Sequence, residues 1–165
     1  MKNFTVTNSN ASGNGSLSAA ILAANENPGF DNISIEVGNI FLNSALTISD
    51  SVNITGAGTV ITQTGRDRIF NINDNNDAID IDVTLNSLKL TGGSPVETGG
   101  AIFSYENLFI IDSQLYGNNT AKRGGAVYVE GANLNVVNSS IHSNKIVVVD
   151  QGASSGGGLY VKNGI

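Results

Sequence analysis

Three observations predict an all-β solenoid, a fold in which short strands pair with copies of themselves one repeat away. The first is a repeat within Val83–Val161. LNSLKLTGG from Leu85, IIDSQLYGNNTAKRGGAVYV from Ile110 and VVNSSIHSNK from Val136 align so that Asn86-Ser87, Asp112-Ser113 and Asn138-Ser139 recur every 26 residues. A second marker, GGAIFS from Gly99, GGAVYV from Gly124 and GGLYV from Gly157, recurs after 25 and then 33 residues, which locates an insertion around residues 147–155. The second observation is that the apolar runs are short, β-branched and separated by Gly and Asn. The third is that one stretch alone has helical spacing, and it lies near the N-terminus.

Taken in order, Phe4 to Thr7 alternates apolar and polar residues and reads as a strand, and Asn8 to Gly15 reads as a polar loop. SLSAAILAANEN then sets Leu17, Ala20, Ile21 and Ala24 on one stripe, with Ser16 as N-cap and Pro28-Gly29 as the stop. From Asn32 onward the segments are strands: Ile33/Ile35/Val37, Ile40/Leu42, Leu46/Ile48, Val52/Ile54, Val60/Ile61, Ile69 to Ile72 and Ile79/Ile81/Val83/Leu85. A stack of such strands ends in unpaired backbone groups and an open apolar cross-section. The amphipathic helix is therefore expected to cap that end, with Leu17 and Ile21 inward. Residues 1–31 form the cap in this reading and 32–165 the coils, which are expected to continue past residue 165.

Composition narrows the function. At 165 residues one domain is expected, and its size allows a core without disulfides or metal. The absence of cysteine rules out a disulfide framework and Cys-ligated zinc. A net charge of −6 and a pI near 4.5 argue against a nucleic-acid partner, which needs clustered Lys and Arg. No run approaches membrane-spanning length, and MKNFTVTNSN carries no apolar signal segment. Charged residues are scarce and neutral polar ones abundant, a balance that suits a secreted or cell-surface solenoid.

The residues FTVTN from Phe4, GSL from Gly15, Ala20-Ile21, Ala24-Asn25, Gly29, Asp31 and Ile33 resemble the N-terminal segment of secreted bacterial proteins of the CSLREA-domain type. GGAIFS, GGAVYV, the LYGNN run from Leu115 and the SSIHSN run from Ser139 are similar to the repeats of the same proteins, and to those of chlamydial polymorphic outer-membrane proteins. The resemblance covers nearly the whole chain. It implies a right-handed parallel β-helix with a single N-terminal capping helix. One departure is clear: Gly15-Ser16-Leu17-Ser18-Ala19-Ala20 lacks the Cys, Arg and Glu of the six-residue signature, so any salt bridge made there in the family is missing here.

Register decides which side chains could act. Aligned on the GG pairs, Ile102, Val127 and Leu159 should fill the core, as should Leu108 with Leu134 and Ile110 with Val136. Phe103, Tyr128 and Tyr160 should form an outward ladder. That ladder reads first as coil-to-coil stacking, and the alternative is a platform for sugar rings. In NDNNDAIDIDV, Asp80 and Asp82 should leave the outer face of a strand together. Asp74, Asp77, Asp80 and Asp82 are the candidate calcium ligands, although the stretch lacks the glycine and terminal Glu of an EF-hand loop and reads first as a solvated turn. No cofactor is expected, and calcium is the alternative. His142 occupies the place of Tyr116 in the preceding repeat and reads as a surface turn residue.

The expected function is a non-enzymatic extracellular or cell-surface module: the cap and first coils of a larger adhesin-like protein, whose partners would be surface glycans or other extracellular proteins. The alternative is the N-terminal part of a polysaccharide lyase or glycoside hydrolase, given that pectate-lyase-like enzymes share the architecture and carry Asp residues on such faces. Fold alone does not decide between these. Leu159 and Val161 close the last strand with nothing to blunt its edge, so self-association through the C-terminal end is also expected.

Overall fold

The computed structural model describes residues 1–76, 78, 80–147 and 156–164. The chain runs β1 (Asn3–Val6), α1 (Leu17–Asn25), β2 (Asp31–Ile35), β3 (Asn39–Leu42), β4 (Leu46–Ile48), β5 (Val52–Gln63) and β6 (Phe70–Ile72). It continues through β7 (Asp82–Thr91), β8 (Ile102–Ser104), β9 (Asn107–Ile111), β10 (Gln114–Tyr116), β11 (Asn119–Thr120) and β12 (Val127–Glu130). The last elements are β13 (Leu134–Val137), β14 (Ser140–His142), β15 (Lys145–Ile146) and β16 (Leu159–Lys162). The protein is all-β with a single helix among the described residues, and every strand pairing is parallel.

Among the described residues three sheets result. The largest runs β1-β2-β5-β7-β10-β14, with β3 on β5, β9 on β7 and β13 on β9; the second runs β4-β6-β8-β12-β16; β11 and β15 form a third. Parallel pairing at fixed register carries like residues into columns. Ile33, Ile54, Leu85, Ile110 and Val136 make one such column, and Phe70, Ile102, Val127 and Leu159 another. Alternation along each strand sends these side chains to one face, and a single buried cluster draws on both large sheets and the helix. Burying a residue of this size is worth about 1.5–3 kcal/mol, so the columns supply the main favourable term.

The helix forms where its sequence dictates. The Ser16 hydroxyl accepts from the Ala19 amide at 3.2 Å, and Leu17, Ala20, Ile21 and Ala24 are its buried residues, packed towards β1, β2 and β4. It ends at Asn25 with Glu26 as C-cap, ahead of the expected Pro28-Gly29 stop. The reason lies in Asn25, whose side-chain amide donates to the Thr47 carbonyl at 2.9 Å while its oxygen accepts from the Ser49 amide at 2.9 Å. One side chain thereby satisfies two backbone groups on the free edge of β4, as a neighbouring strand would.

Each GG pair has two separable jobs. Gly99, Gly124 and Gly156 adopt φ of 65°, 63° and 71°. At the second glycine the backbones nearly touch: a Cβ on Gly100 would sit 1.9 Å from the Gly125 carbonyl oxygen, and one on Gly125 2.0 Å from that of Gly157. The third marker thus begins at Gly156 rather than Gly157, because Gly156 takes the left-handed turn and the spare glycine stands where Ala101 and Ala126 stand in the other two.

The Asn/Asp-Ser alignment needs a similar correction. Asn86 pairs with Ile111, whereas Ile111 pairs with Val137. Ser87, Asp112 and Asn138 therefore share the corner, at φ of 54°, 48° and 48°. Ser113 and Ser139 fall opposite Leu88, and their hydroxyls accept from the amides of Leu88 (3.1 Å) and Ser113 (3.0 Å). Sequence similarity slid the first repeat by one residue because Leu88 fills by burial the slot that serine fills by hydrogen bonding.

Other expectations also shift. Val52/Ile54 and Val60/Ile61 belong to one strand, β5, whose pairing with β7 slips between Thr55 and Thr59, where Gly58 has φ of 81°. Leu159 is not core: it is 38% exposed, because β16 lies at the end of its sheet. Asp31, assigned above to the cap, opens β2.

Asn118 is fully buried, accepts from the Gly93 amide at 3.0 Å, and donates to the Leu90 carbonyl at 3.0 Å. Asn118→Leu is expected to orphan these groups and lower unfolding free energy by about 3 kcal/mol, read as a shift in the urea midpoint. Leu17→Asp or Ile21→Asp is expected to cost about 4 kcal/mol or more by the same measurement, since each places a carboxylate among apolar side chains. An unchanged midpoint in either Asp variant would show that α1 does not close the core.

Candidate binding face

The outward side of the five-stranded sheet carries a group of four aromatic residues, Phe103, Tyr105, Tyr128 and Tyr160. Tyr128 pairs with Phe103 on one side and Tyr160 on the other, as the aligned GG markers require. The rings stack at centroid distances of 5.2 and 5.3 Å with interplanar angles of 4° and 15°. Tyr105 meets the Phe103 ring edge-on at 4.9 Å. The expected ladder therefore exists, with one difference: Tyr128 is only 4% exposed, because its neighbours take both of its faces. A sugar ring stacks on an open aromatic face, and Tyr128 offers none. Phe103 presents its face to a different group, the Arg68 guanidinium, 4.8 Å from the ring centroid. Arg123 is similarly 5.3 Å from the centroid of Tyr160.

Charge is arranged around the rings. Glu130 accepts from the Tyr128 hydroxyl at 2.8 Å and pairs with the Lys162 ammonium. Lys162, then Tyr128, hold the Glu130 carboxyl below its usual range. Burial, helped by Glu130, pushes the Tyr128 phenol up to about 12. Arg68 is half-buried; burial lowers its pKa while Asp67 and Glu97 pull the other way, and its Nε finds no acceptor. None of these charged groups was singled out from the sequence for a role here. The signal lay in Arg68 and Arg123, each preceding a strand whose outward residue belongs to, or lies beneath, the ladder.

The acidic stretch is organised from below by a residue the sequence reading missed. Glu106, 3% exposed, accepts from the Asp74 amide at 3.1 Å with one oxygen and from the Ile81 amide at 3.1 Å with the other. Burial raises its pKa, and the two amides pull it back only in part. A lone acid inside the apolar run Ile102–Ile111 was the available clue. Asp80 and Asp82 are both exposed, yet Asp80 precedes β7 instead of alternating within it. Asp82 accepts from the Asn107 amide group at 3.0 Å, and Asp74 accepts from the Asn76 backbone at 2.7 Å, so both carboxylates already serve local structure. Asp77 lies outside the described residues. Among the described residues no three His, Asp or Glu side chains converge as a metal site would require.

His142 stands in β14, in register with Tyr116, and the two rings stack at 5.6 Å; it is a strand residue, not a turn residue. Asp31 is another carboxylate with a structural task. Fully buried, it accepts from the Lys2 backbone amide at 2.5 Å and from the Asn27 side chain at 2.7 and 2.9 Å. Burial alone would raise its pKa, but these donors and the nearby positive charges bring it below the ordinary value of 3.8.

No family model, curated protein or solved structure matches the chain.

Two expectations concern titration. Because the folded pKa of Asp31 is depressed, its contribution to stability is complete above 3.8 and is lost as pH falls through the lower folded value. Glu106 acts oppositely: its raised folded pKa makes its contribution most favourable below 4.5, and that contribution declines as pH rises past it. Urea midpoints between pH 5 and 2 are therefore expected to fall less steeply in Asp31→Asn than in the wild type; parallel curves would show that Asp31 does not carry this dependence. A third expectation concerns calcium. Millimolar calcium should leave Tm unchanged, and a shift abolished by Asp80→Asn with Asp82→Asn would instead reveal a site.

Proposed function

We propose that the chain is a right-handed parallel β-helix capped by α1, and that it serves as a non-enzymatic, extracellular or cell-surface module of an adhesin-like protein. The observation that carries this reading is the like-on-like stacking of Phe103, Tyr128 and Tyr160 across three parallel strands separated by 25 and 32 residues. Strands that pair in parallel with their counterparts one repeat later need a crossover of that length, and such crossovers are overwhelmingly right-handed. Other columns agree: Asn3, Asn32 and Asn53 pass hydrogen bonds from one to the next, and Asn118 and Asn144 do the same. A structure extended by repetition presents a long regular surface, which suits display and adhesion. The low charged fraction of 13% fits an extracellular setting, where neutral polar groups solvate the outside.

Repetition supplies the test of the fold. Duplicating residues 102–126, one 25-residue period, should insert one further coil and leave Tm within a few degrees of wild type. Duplicating half that length should abolish cooperative melting. Equal damage from both insertions would overturn the β-helix. The non-enzymatic reading is tested by incubating the protein with the oligosaccharides of a glycan array and weighing them afterwards. Intact masses are expected, whereas shortened or unsaturated fragments would favour the lyase or hydrolase alternative.

A further inference from the structure

The chain has three arginines, Arg66, Arg68 and Arg123, and two of them, Arg68 and Arg123, lie over rings of the aromatic ladder. The guanidiniums of Arg68 and Arg123 reach Phe103 and Tyr160, and Arg66 lies two residues from Arg68. Lys122 and Lys162, on the same side, are neutralised by Glu97 and Glu130. Among the described residues none of the three arginines has a carboxylate within 4.0 Å. Arg66 also borders a groove of about 260 Å³ with Pro95, Val96, Ala121 and Val147, so its charge stands at the edge of a concave surface.

The arrangement repeats along the sheet. The Arg68 and Arg123 guanidiniums cover Phe103 on β8 and Tyr160 on β16, with β12 between, so they stand two strand spacings apart, about 9.6 Å along the stacking direction. That interval is close to the length of two linked sugar rings. A planar guanidinium fork matches carboxylate and sulfate geometry, and it is less strongly hydrated than an ammonium. The ring faces are occupied by stacking, so recognition through charge suits this strip better than recognition through an open aromatic platform.

We propose that this strip binds a linear acidic glycan, its carboxylates or sulfates engaged by Arg66, Arg68 and Arg123 and its chain lying along the stacking direction. The inference rests on the display reading above and names its partner class. The net charge of −6 repels polyanions from the molecule as a whole, so the arginines without a carboxylate partner are where an anionic chain is held.

The experiment immobilises the whole chain and measures binding of heparin and hyaluronan decasaccharides, a neutral maltodecaose and a single-stranded DNA oligomer at low and physiological salt. At least one acidic glycan should bind, more weakly at higher salt, and the choice between heparin and hyaluronan tells sulfate from carboxylate. Arg66→Gln with Arg123→Gln should weaken that binding by about tenfold or more, whereas Lys2→Gln with Lys89→Gln, an equal charge change at the largest sheet, should not. Arg68 is left intact because its Nε is buried, so that its removal would disturb packing as well as charge. Should the double variant melt early, Arg66→Gln alone, at an exposed position, gives the same reading. Equal losses in the arginine and lysine variants, DNA binding as tightly as glycan, or no binding by either acidic glycan would overturn the proposal. Binding of maltodecaose in that last case would sink the charge-based inference while leaving the display reading standing.

Discussion

The parallel backbone ladder between successive repeats is the constraint on which the rest of this protein depends. Each strand takes its hydrogen bonds from a strand one repeat away, so no repeat can satisfy its own backbone. Once that pairing is set, every side chain is stacked on its counterpart, and the chemistry of a position is multiplied along the sheet. Aliphatic positions become core columns, and aromatic positions become stacked rings. Polar positions become chains of hydrogen bonds such as those of Ser113 with Ser139 and Asn118 with Asn144. The same spacing of about 4.8 Å forces glycine wherever two turns approach edge to edge, as at Gly100 and Gly125.

The ladder also creates a problem at the first repeats, where strands would be left with a bare edge. The protein meets it with α1. Apolar residues on one stripe cover the interior, and Asn25 satisfies the backbone of β4 with a single amide. Asp31 fastens the adjoining β1 segment by binding the Lys2 amide. These contacts tie the N-terminal segment to the sheets, because they join residues more than twenty positions apart.

The buried carboxylates in this molecule do structural work. Glu106 and Asp31 are the two most buried acids among the described residues, and both spend their lone pairs on backbone amides or an asparagine. Their pKa values move in opposite directions. Glu106 has two amide donors and a neighbouring carboxylate, and burial dominates; Asp31 has several donors and nearby positive charges, which outweigh burial. The acidic stretch above Glu106 is thereby held as a loop by a residue twenty-five positions from Ile81.

The sequence by itself determined the all-β class, the helix with its Ser16 cap and buried stripe, and the stacking of Phe103, Tyr128 and Tyr160, because each follows from periodicity or from a motif read at short range. It also indicated the near-26-residue repeat, but not its phase: Leu88 and Ser113 share a slot through different physics, and no comparison of residue types could align them. Only the tertiary structure decided that Tyr128 is covered on both faces, that Asp82 serves Asn107, and that Arg68 and Arg123 lie over rings of the ladder. Each of these depends on which residues lie opposite one another across repeats. Local sequence constrains the strand a side chain sits on and the face it points to, whereas its neighbours one strand spacing away are fixed by register, and register is a property of the folded whole.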